Sequence, residues 1–197
     1  MPDDLGLCGA CLTRPDTPAV QQCVVAVDYA YPWDALIARF KFRSEPGWAR
    51  PFAQQLLNAP HTVPLLQTRP LVLPIPLTAT RLAERGYNQA WELVKSLQAL
   101  CRRSSPALPF DSLATALVRL GETPDQHSLG REARLRNLHG AFAAHPSHAH
   151  HLKGRHVLLV DDVTTTGATL HTAAQALLQA GADRVSALVF ARTPSSR

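Results

Sequence analysis

Short apolar runs alternate along the chain with stretches in which apolar residues recur at helical spacing. The apolar runs that predict strands cover residues 24–31, 71–76, 113–118, 156–160 and 185–191. The stretches that predict helices begin after Pro32, around Phe52 and Leu56, at Gln89 and near Leu170. Strands that are apolar along their length and alternate with helices indicate an α/β fold. We expect a doubly wound, mostly parallel sheet that helices cover on both faces.

Prolines and polar clusters mark the predicted loops between these elements. Residues 60–64 are bounded by two prolines, and residues 121–130 are polar and loop-like, whereas residues 78–88 are a polar stretch with two arginines that is assigned to no element. The histidine-rich segment from His145 to His151 has the composition of a metal-binding tract. Its irregular spacing and its lack of carboxylates favour a solvated loop.

Length and composition narrow the class of protein. With 197 residues, 46% of them apolar and 18% charged, the chain can form one cored domain with a small appendage. A disordered chain and a coiled coil are excluded. No apolar run reaches the roughly 18 residues of a membrane span, and the first residues lack the apolar core of a secretory signal. We therefore expect a cytoplasmic protein, with peripheral attachment to the inner membrane as a further option.

The charge balance is modestly basic, at +5. Lysine contributes only Lys41, Lys95 and Lys153, so arginine supplies most of the positive charge. Arginine forks match the geometry of phosphate groups. The excess fits a phosphate-bearing partner and an ordinary solvated surface equally well.

The cysteines predict a truncated N-terminal Cys knuckle. Cys8 and Cys11 form a CxxC pair, whereas a structural zinc site needs four ligands. Cys23 offers a third ligand and no fourth is nearby, so we expect no zinc in this chain. Residues 1–23 are interpreted as the remnant of a zinc-ribbon-like segment whose other half lies upstream of this start, and residues 24–197 as the main domain.

Residues 157–170 are the most informative segment for function. A buried strand is followed by Asp161 and Asp162, then by a short loop of threonines with Gly167, and then by a helix. The free N–H groups and the dipole at the start of a helix attract an anion. A phosphate on the loop and a polyol or a metal on the acids would satisfy both features, and a phosphorylated ribose does so in one molecule.

Other interpretations of this segment fit less well. A Walker A loop needs Gly-Lys-Ser/Thr, and a dinucleotide fingerprint needs three spaced glycines where only Gly167 is present. Phosphoacceptor domains also carry an acid pair at a strand end, but without a Thr-Thr-Gly-x-Thr loop behind it. A purely structural turn leaves a charged pair beside a buried strand unexplained.

Two arginines follow the second predicted strand, as the acid pair follows its own strand. Arg81 and Arg85 are four residues apart, so on a helical turn they share one face. They are candidates to approach a diphosphate on the same ligand, or else they are two surface arginines. Asn88 and Gln89 come next, and Asn88 is equally suited to cap the following helix.

The segment from Val157 to Leu170 resembles the phosphoribosyl diphosphate signature of type I phosphoribosyltransferases. The resemblance implies that Asp161 and Asp162 hold the ribose 2′- and 3′-hydroxyls and act in catalysis. It implies that the 5-phosphate is cradled by Thr164, Thr165, Thr166, Gly167, Ala168 and Thr169. Mg²⁺ would be the cofactor, held mainly through the ligand.

Two further segments resemble the ComF family, and the likeness runs from Cys8 to the last strand. Residues 73–90 are similar to its Pro-x-Pro-Leu…Arg…Arg-Gly-Tyr-Asn-Gln stretch. This resemblance implies a diphosphate side formed by Arg81, Arg85, Gly86, Asn88 and Gln89. It implies a closing loop that carries Arg119, Gln126, Arg131, Arg134 and Asn137, and it associates the chain with competence for DNA uptake.

Two functions follow from this resemblance. The first is a Mg²⁺-dependent enzyme that transfers phosphoribosyl from phosphoribosyl diphosphate, or another phosphorylated ribose, to an acceptor that the residues do not identify. The second is a non-catalytic adaptor that binds single-stranded DNA together with DNA-uptake proteins, with Tyr87 and Trp91 as candidates for base stacking. The helical spacing of Trp91 suits a core residue as well. Because no acceptor pocket is evident, ligand binding is better supported than catalysis.

Overall fold

In the part of the chain that the structure describes, five parallel strands form the central sheet. The computed structural model describes residues 18–104, 106–120 and 141–194. Across the sheet, the order is β1 (Gln22–Asp28), β7 (Arg184–Arg192), β6 (His156–Thr164), β2 (Leu71–Pro74) and β3 (Asp111–Ser112). Every neighbouring pair is parallel, so the carboxyl ends of the strands meet at one edge. The predicted doubly wound α/β sheet is confirmed.

Helices connect the strands and cover both faces of the sheet. They are α1 (Trp33–Phe42), α2 (Ala49–Asn58), α3 (Thr62–Gln67), α4 (Ala79–Arg85), α5 (Gln89–Arg103), α6 (Ala149–Leu152) and α7 (Ala168–Gln179). A separate antiparallel pair is formed by β4 (Leu117–Arg119) and β5 (Phe142–Ala144). Short 3-10 turns cover Pro46–Trp48 and Pro146–His148.

The hydrophobic core has two halves, because successive strand residues point to opposite faces of the sheet. On β6, Leu158 and Val160 pack with α1, α2 and α5, around Phe40 and Phe52. The alternate residues of the same strand, Val157 and Leu159, pack with α7. The sheet is thus buried on both sides, which explains why its strands are apolar throughout.

Several predicted boundaries were wrong. Residues 60–64 enter α3, where Pro64 lies in the first turn and its missing N–H is not needed. The polar stretch at 78–88, to which no element was assigned, contains α4. The strand predicted at 113–118 is replaced by the short strands β3 and β4, which belong to different sheets.

Two further expectations concerned the histidine-rich segment and the boundary of the N-terminal segment. The histidine-rich segment contains a 3-10 turn and α6 instead of a plain loop. The boundary expected at residue 23 falls inside β1, which begins at Gln22. Cys23 therefore lies in a strand, paired with Ala187 of β7. Within the described ranges, no helix is long and apolar enough to cross a membrane.

Candidate functional site

The acid pair lies within β6, because this strand continues four residues past its apolar stretch to Thr164. Both carboxylates are buried, with Asp161 8% and Asp162 2% exposed. The alternation of β6 predicts opposite directions for the two side chains: Asp161 toward the face of α7, Asp162 toward the face of α1. The sheet thereby presents carboxylates to both sides of its carboxyl edge.

Backbone hydrogen bonds fix one oxygen of each carboxylate. Oδ1 of Asp161 accepts from the N–H of Asp162 at 2.9 Å, and Oδ1 of Asp162 accepts from the N–H of Val163 at 2.9 Å. Burial and the neighbouring charge of Asp162 raise the pKa of Asp161 well above its usual range. The charged form of Asp161 is therefore disfavoured in the empty protein, and hydroxyl donors or a cation beside it would stabilise that form.

Lys41, which was not predicted from the sequence, compensates part of the charge on the acid pair. Its Nζ lies 3.0 Å from Oδ2 of Asp162, and its side chain is only 20% exposed. Lys41 is four residues after Ile37, a fully buried residue of α1, so the two share a helical face. A lysine at a position that continues an apolar helical face was the signal that could have identified it.

The loop after β6 has the form predicted for an anion site. Gly167 adopts a left-handed conformation, with φ of +74°, and precedes the 12-residue helix α7. The hydroxyls of Thr165 and Thr166 lie on exposed residues, while Thr164 is buried at the strand end. Oγ1 of Thr166 accepts from the N–H of Ala168 at 3.4 Å. The first turn of α7, which includes Ala168 and Thr169, presents N–H groups to this loop.

Helix α4, which follows the neighbouring strand β2, carries the predicted arginines. Thr78 caps the helix at its start through the N–H of Arg81, and Gly86 ends it with φ of +79°. Arg81 is exposed, whereas Arg85 is half-buried, with its guanidinium 5.4 Å from the centre of the Phe42 ring. Nη1 of Arg85 is buried and has no acceptor among the described residues. It is therefore an unsatisfied donor in this part of the fold.

Asn88 has a structural role that its contacts fully account for. Its Oδ1 accepts from the N–H groups of Ala90 and Trp91 and so caps α5, while its Nδ2 donates to the carbonyl of Ile75 at 3.0 Å. Gln89 is buried, with Oε1 lacking a donor among the described residues. A role of either residue at the diphosphate stays a prediction.

The ends of β2 and β6 are adjacent, which brings α4 to the acid pair. The N–H of Ile75 donates to the carbonyl of Val160 at 2.9 Å, one residue before Asp161. The charges of both Arg85 and Asp162 act on the hydroxyl of Tyr87, whose pKa burial raises. That hydroxyl donates to the carbonyl of Phe40. The carboxyl edge thus joins a pair of acids, an anion loop and a buried guanidinium.

Other predicted site residues lie farther out or outside the described ranges. Arg119 is in β4, with its guanidinium 5.5 Å from the centre of the Phe142 ring. The remaining closing-loop residues, Gln126, Arg131, Arg134 and Asn137, lie outside the described residues, as do Cys8 and Cys11. Over the described ranges, no group of three or more His, Cys, Asp or Glu side chains is placed to hold a metal ion.

Comparison with models of protein families gives the class of domain to which this edge belongs, a phosphoribosyl transferase domain. The family model of the phosphoribosyl transferase domain matches residues 92–197, which include the acid pair and the loop. A hypoxanthine phosphoribosyl transferase of Trypanosoma cruzi is 15% identical, with a TM-score of 0.42, over 79% of this chain and 77% of that one.

Relatives with sequence similarity along most of the chain narrow the class. A DNA utilization protein YhgH of Escherichia coli is 36% identical over 94% of this chain and 78% of its own length. Competence protein F of Haemophilus influenzae is 31% identical over the same shares of the two chains. Competence protein ComFC of Bacillus subtilis is 30% identical over 80% of this chain and 58% of that protein. The chain therefore belongs to the ComF family, with a phosphoribosyl transferase domain.

Proposed function

We propose that the carboxyl edge of the sheet binds phosphoribosyl diphosphate together with Mg²⁺. The observation that carries this proposal is the joining of three features at adjacent strand ends. Asp161 and Asp162 offer carboxylate oxygens to a ribose diol, although Oδ2 of Asp162 is paired with Lys41 in the empty site. The loop around Gly167 offers N–H groups and hydroxyls to a 5-phosphate, and Arg85 offers a buried donor to a diphosphate.

The chain's own groups also fit the magnesium complex of such a ligand. Mg²⁺ prefers oxygen ligands and commonly binds through substrate phosphates with one or two carboxylates nearby. When bound, the ion would neutralise charge on the departing diphosphate. Asp161 and Asp162 would orient the ribose through its hydroxyls, and Arg85 would hold the diphosphate.

Transfer of the phosphoribosyl group is the finer part of the proposal. The bond between C1 and the diphosphate oxygen breaks, pyrophosphate leaves with that electron pair, and an acceptor nucleophile forms the new bond to C1. Positive charge develops at C1 on the way, and buried carboxylates stabilise it better than water does. The family membership and the relatives' names leave the acceptor unidentified.

Isothermal titration calorimetry tests the binding step. Phosphoribosyl diphosphate with Mg²⁺ is titrated into the wild type and into Asp162→Asn, which removes one acid while keeping the side-chain shape. Lys153→Met is the control, since Lys153 is exposed and precedes β6 at the opposite edge of the sheet. We expect binding to the wild type and the control and a loss of at least about tenfold in affinity for Asp162→Asn. Absence of binding to the wild type overturns the proposal.

A second candidate, binding of single-stranded DNA, is favoured by a basic cavity on the outer surface of α2 and α5. The cavity has a volume of ≈ 340 Å³ and is lined by Arg50, Lys95 and Arg103, with Glu92 as its acid. Lys95 is paired with Glu92 at 2.9 Å, so Arg50 and Arg103 are the two cations that suit the phosphates of a nucleic acid backbone. The relatives' names refer to DNA utilization and competence, which is compatible with such a ligand.

The structure changes which residues would serve this second function. Tyr87 and Trp91, the expected stacking residues, are partly buried against the core, and Tyr87 is bonded to Phe40. Fluorescence anisotropy with labelled single-stranded DNA at two salt concentrations tests the cavity. We expect salt-sensitive binding that Arg50→Ala/Arg103→Ala weakens and that Arg155→Ala/Arg184→Ala, at the far edge of the sheet, leaves largely intact. An equal loss of affinity for single-stranded DNA in both double variants contradicts a specific role of the cavity.

A further inference from the structure

The last turn of α1 forms a third wall of the candidate site. Three consecutive residues contact three different parts of it. Phe40 packs against the ring of Tyr87, with 5.9 Å between the ring centres. Lys41 forms an ion pair with Asp162, and Phe42 lies against the guanidinium of Arg85. This turn therefore spans from the acid pair to the diphosphate side.

These contacts place Lys41 between the acid pair and the proposed diphosphate side. Its ammonium is 3.0 Å from the carboxylate that would bind the ribose, and the next residue contacts the arginine that would bind the diphosphate. A ligand that joins Asp162 to Arg85 must therefore pass close to Lys41. Its four-carbon side chain has the freedom to follow a ligand charge over a few ångströms.

Anchoring of α1 does not explain this lysine. The helix is already held by Ile37 and Phe40, both fully buried, and by the hydrogen bond from Tyr87 to the Phe40 carbonyl. A largely buried ion pair is also a weak contributor to stability, since desolvation of both charges offsets their attraction. A role in ligand binding accounts for a cation at this position better than a role in folding does.

We propose, on the basis of the function proposed above, that Lys41 contacts the diphosphate of the bound ligand and is held by Asp162 while the site is empty. The diphosphate presents more negative charge than one carboxylate, so the ammonium turns toward it when the ligand arrives. Oδ2 of Asp162 then becomes available to a ribose hydroxyl. Lys41 is in this way a specificity residue: it favours ligands with a diphosphate at C1 over ligands that lack it.

Comparison of two ligands separates this role from a general one. Phosphoribosyl diphosphate and ribose 5-phosphate, each with Mg²⁺, are titrated calorimetrically into the wild type, Lys41→Met and Lys41→Arg, with Lys153→Met as the control. We expect Lys41→Met to lower the affinity for phosphoribosyl diphosphate at least about tenfold and the affinity for ribose 5-phosphate much less. The preference between the two ligands therefore falls, and Lys41→Arg restores part of it. Thermal melts establish that each variant is folded.

The outcomes distinguish the two proposals. Equal weakening of both ligands in Lys41→Met, or unchanged binding of phosphoribosyl diphosphate, overturns the role of Lys41 and leaves the proposed function standing. If the wild type binds neither ligand, the proposed function fails, and the role of Lys41 fails with it.

Discussion

The backbone N–H of Asp162 donates to Oδ1 of Asp161 at 2.9 Å, so these two neighbouring acids are linked by the chain itself while both side chains are buried. The bond fixes the Asp161 carboxylate but does not remove the repulsion between the two charges. Burial first and the Asp162 charge second raise the pKa of Asp161 well above its usual range. Two consecutive buried acids in one strand are unfavourable for folding, while their carboxylates are suited to the hydroxyl donors of a ligand.

Replacement of Asp161 by Asn is therefore predicted to stabilise the empty protein. Asn keeps an oxygen that accepts from Asp162 and removes the buried charge, so we expect a gain of at least about 1 kcal/mol in the free energy of unfolding at neutral pH. A folded-state pKa above the unfolded value disfavours the fold increasingly as pH rises above about 4, so the gain should grow with pH. Urea denaturation at several pH values measures it.

The same variant is predicted to lose affinity for phosphoribosyl diphosphate, because stability and binding are in conflict at this position. Asp111→Asn, at an exposed residue whose side chain is 76% accessible, is the control and should change neither quantity strongly. A less stable Asp161→Asn protein at neutral pH contradicts the electrostatic account of the pair.

A second pH effect of opposite sign is predicted at the other edge of the sheet. Burial, followed by the charge of Arg184, lowers the pKa of His156 to about 4. Its neutral ring bonds Thr68 Oγ1 at 2.9 Å and Ser186 Oγ at 3.0 Å. Because the folded pKa lies below the unfolded one, this stabilisation is complete above about pH 6.5 and is lost as pH falls toward 4.

His156→Gln isolates this contribution. The wild type is expected to lose about 1–2 kcal/mol more than the variant between pH 7 and pH 4.5, with allowance for partial exposure of the ring. The difference between the two unfolding curves at each pH cancels the effect of Asp161 and of other acids. Parallel pH profiles of the two proteins would show that His156 does not titrate on unfolding.

Apolar patterning was enough to predict the sheet and both of its faces. The long strands β6 and β7 are apolar because both of their faces are covered, so their sequences show it directly. Helix α4 was missed because it has no buried residue, and a helix without an apolar face leaves no periodic signal. Strands as short as β3 and β4 depend on their partners more than on their own residues.

The site could be predicted where one local segment contains it and not where tertiary contacts assemble it. The acids, the threonine loop and Gly167 are consecutive in sequence, so their order alone indicated an anion and diol site. Lys41 reaches Asp162, and Phe42 reaches the guanidinium of Arg85, only because the fold brings α1 beside the carboxyl edge of the sheet. Such pairs are distant in sequence, and only the packing of helices on the sheet brings them together.

Replacement of Gly167 by Ala tests the backbone conformation of the loop separately from the space available for a side chain. A Cβ at Gly167 would meet no atom within 4 Å, so the effect of Gly167→Ala must come from its φ of +74°. A left-handed alanine costs about 1–2 kcal/mol, and the loop can avoid this cost only by moving its N–H groups. We expect lower affinity for phosphoribosyl diphosphate and a modest loss of stability. Gly47→Ala, at a glycine with equal space and no positive φ, is the matched control in calorimetry and thermal melts.

Arg85 is predicted to matter for binding and hardly at all for stability. Its Nη1 is buried with no acceptor among the described residues, so Arg85→Leu relieves an unsatisfied donor while losing the contact with Phe42. These effects, of about 1 kcal/mol each, oppose one another and leave the melting temperature nearly unchanged. Loss of a charge-assisted hydrogen bond to the diphosphate should lower the affinity for phosphoribosyl diphosphate at least about tenfold. Arg81→Leu, on the same helix face but exposed, should weaken it less; an equal effect of the two variants would mean that burial does not direct Arg85 to the ligand.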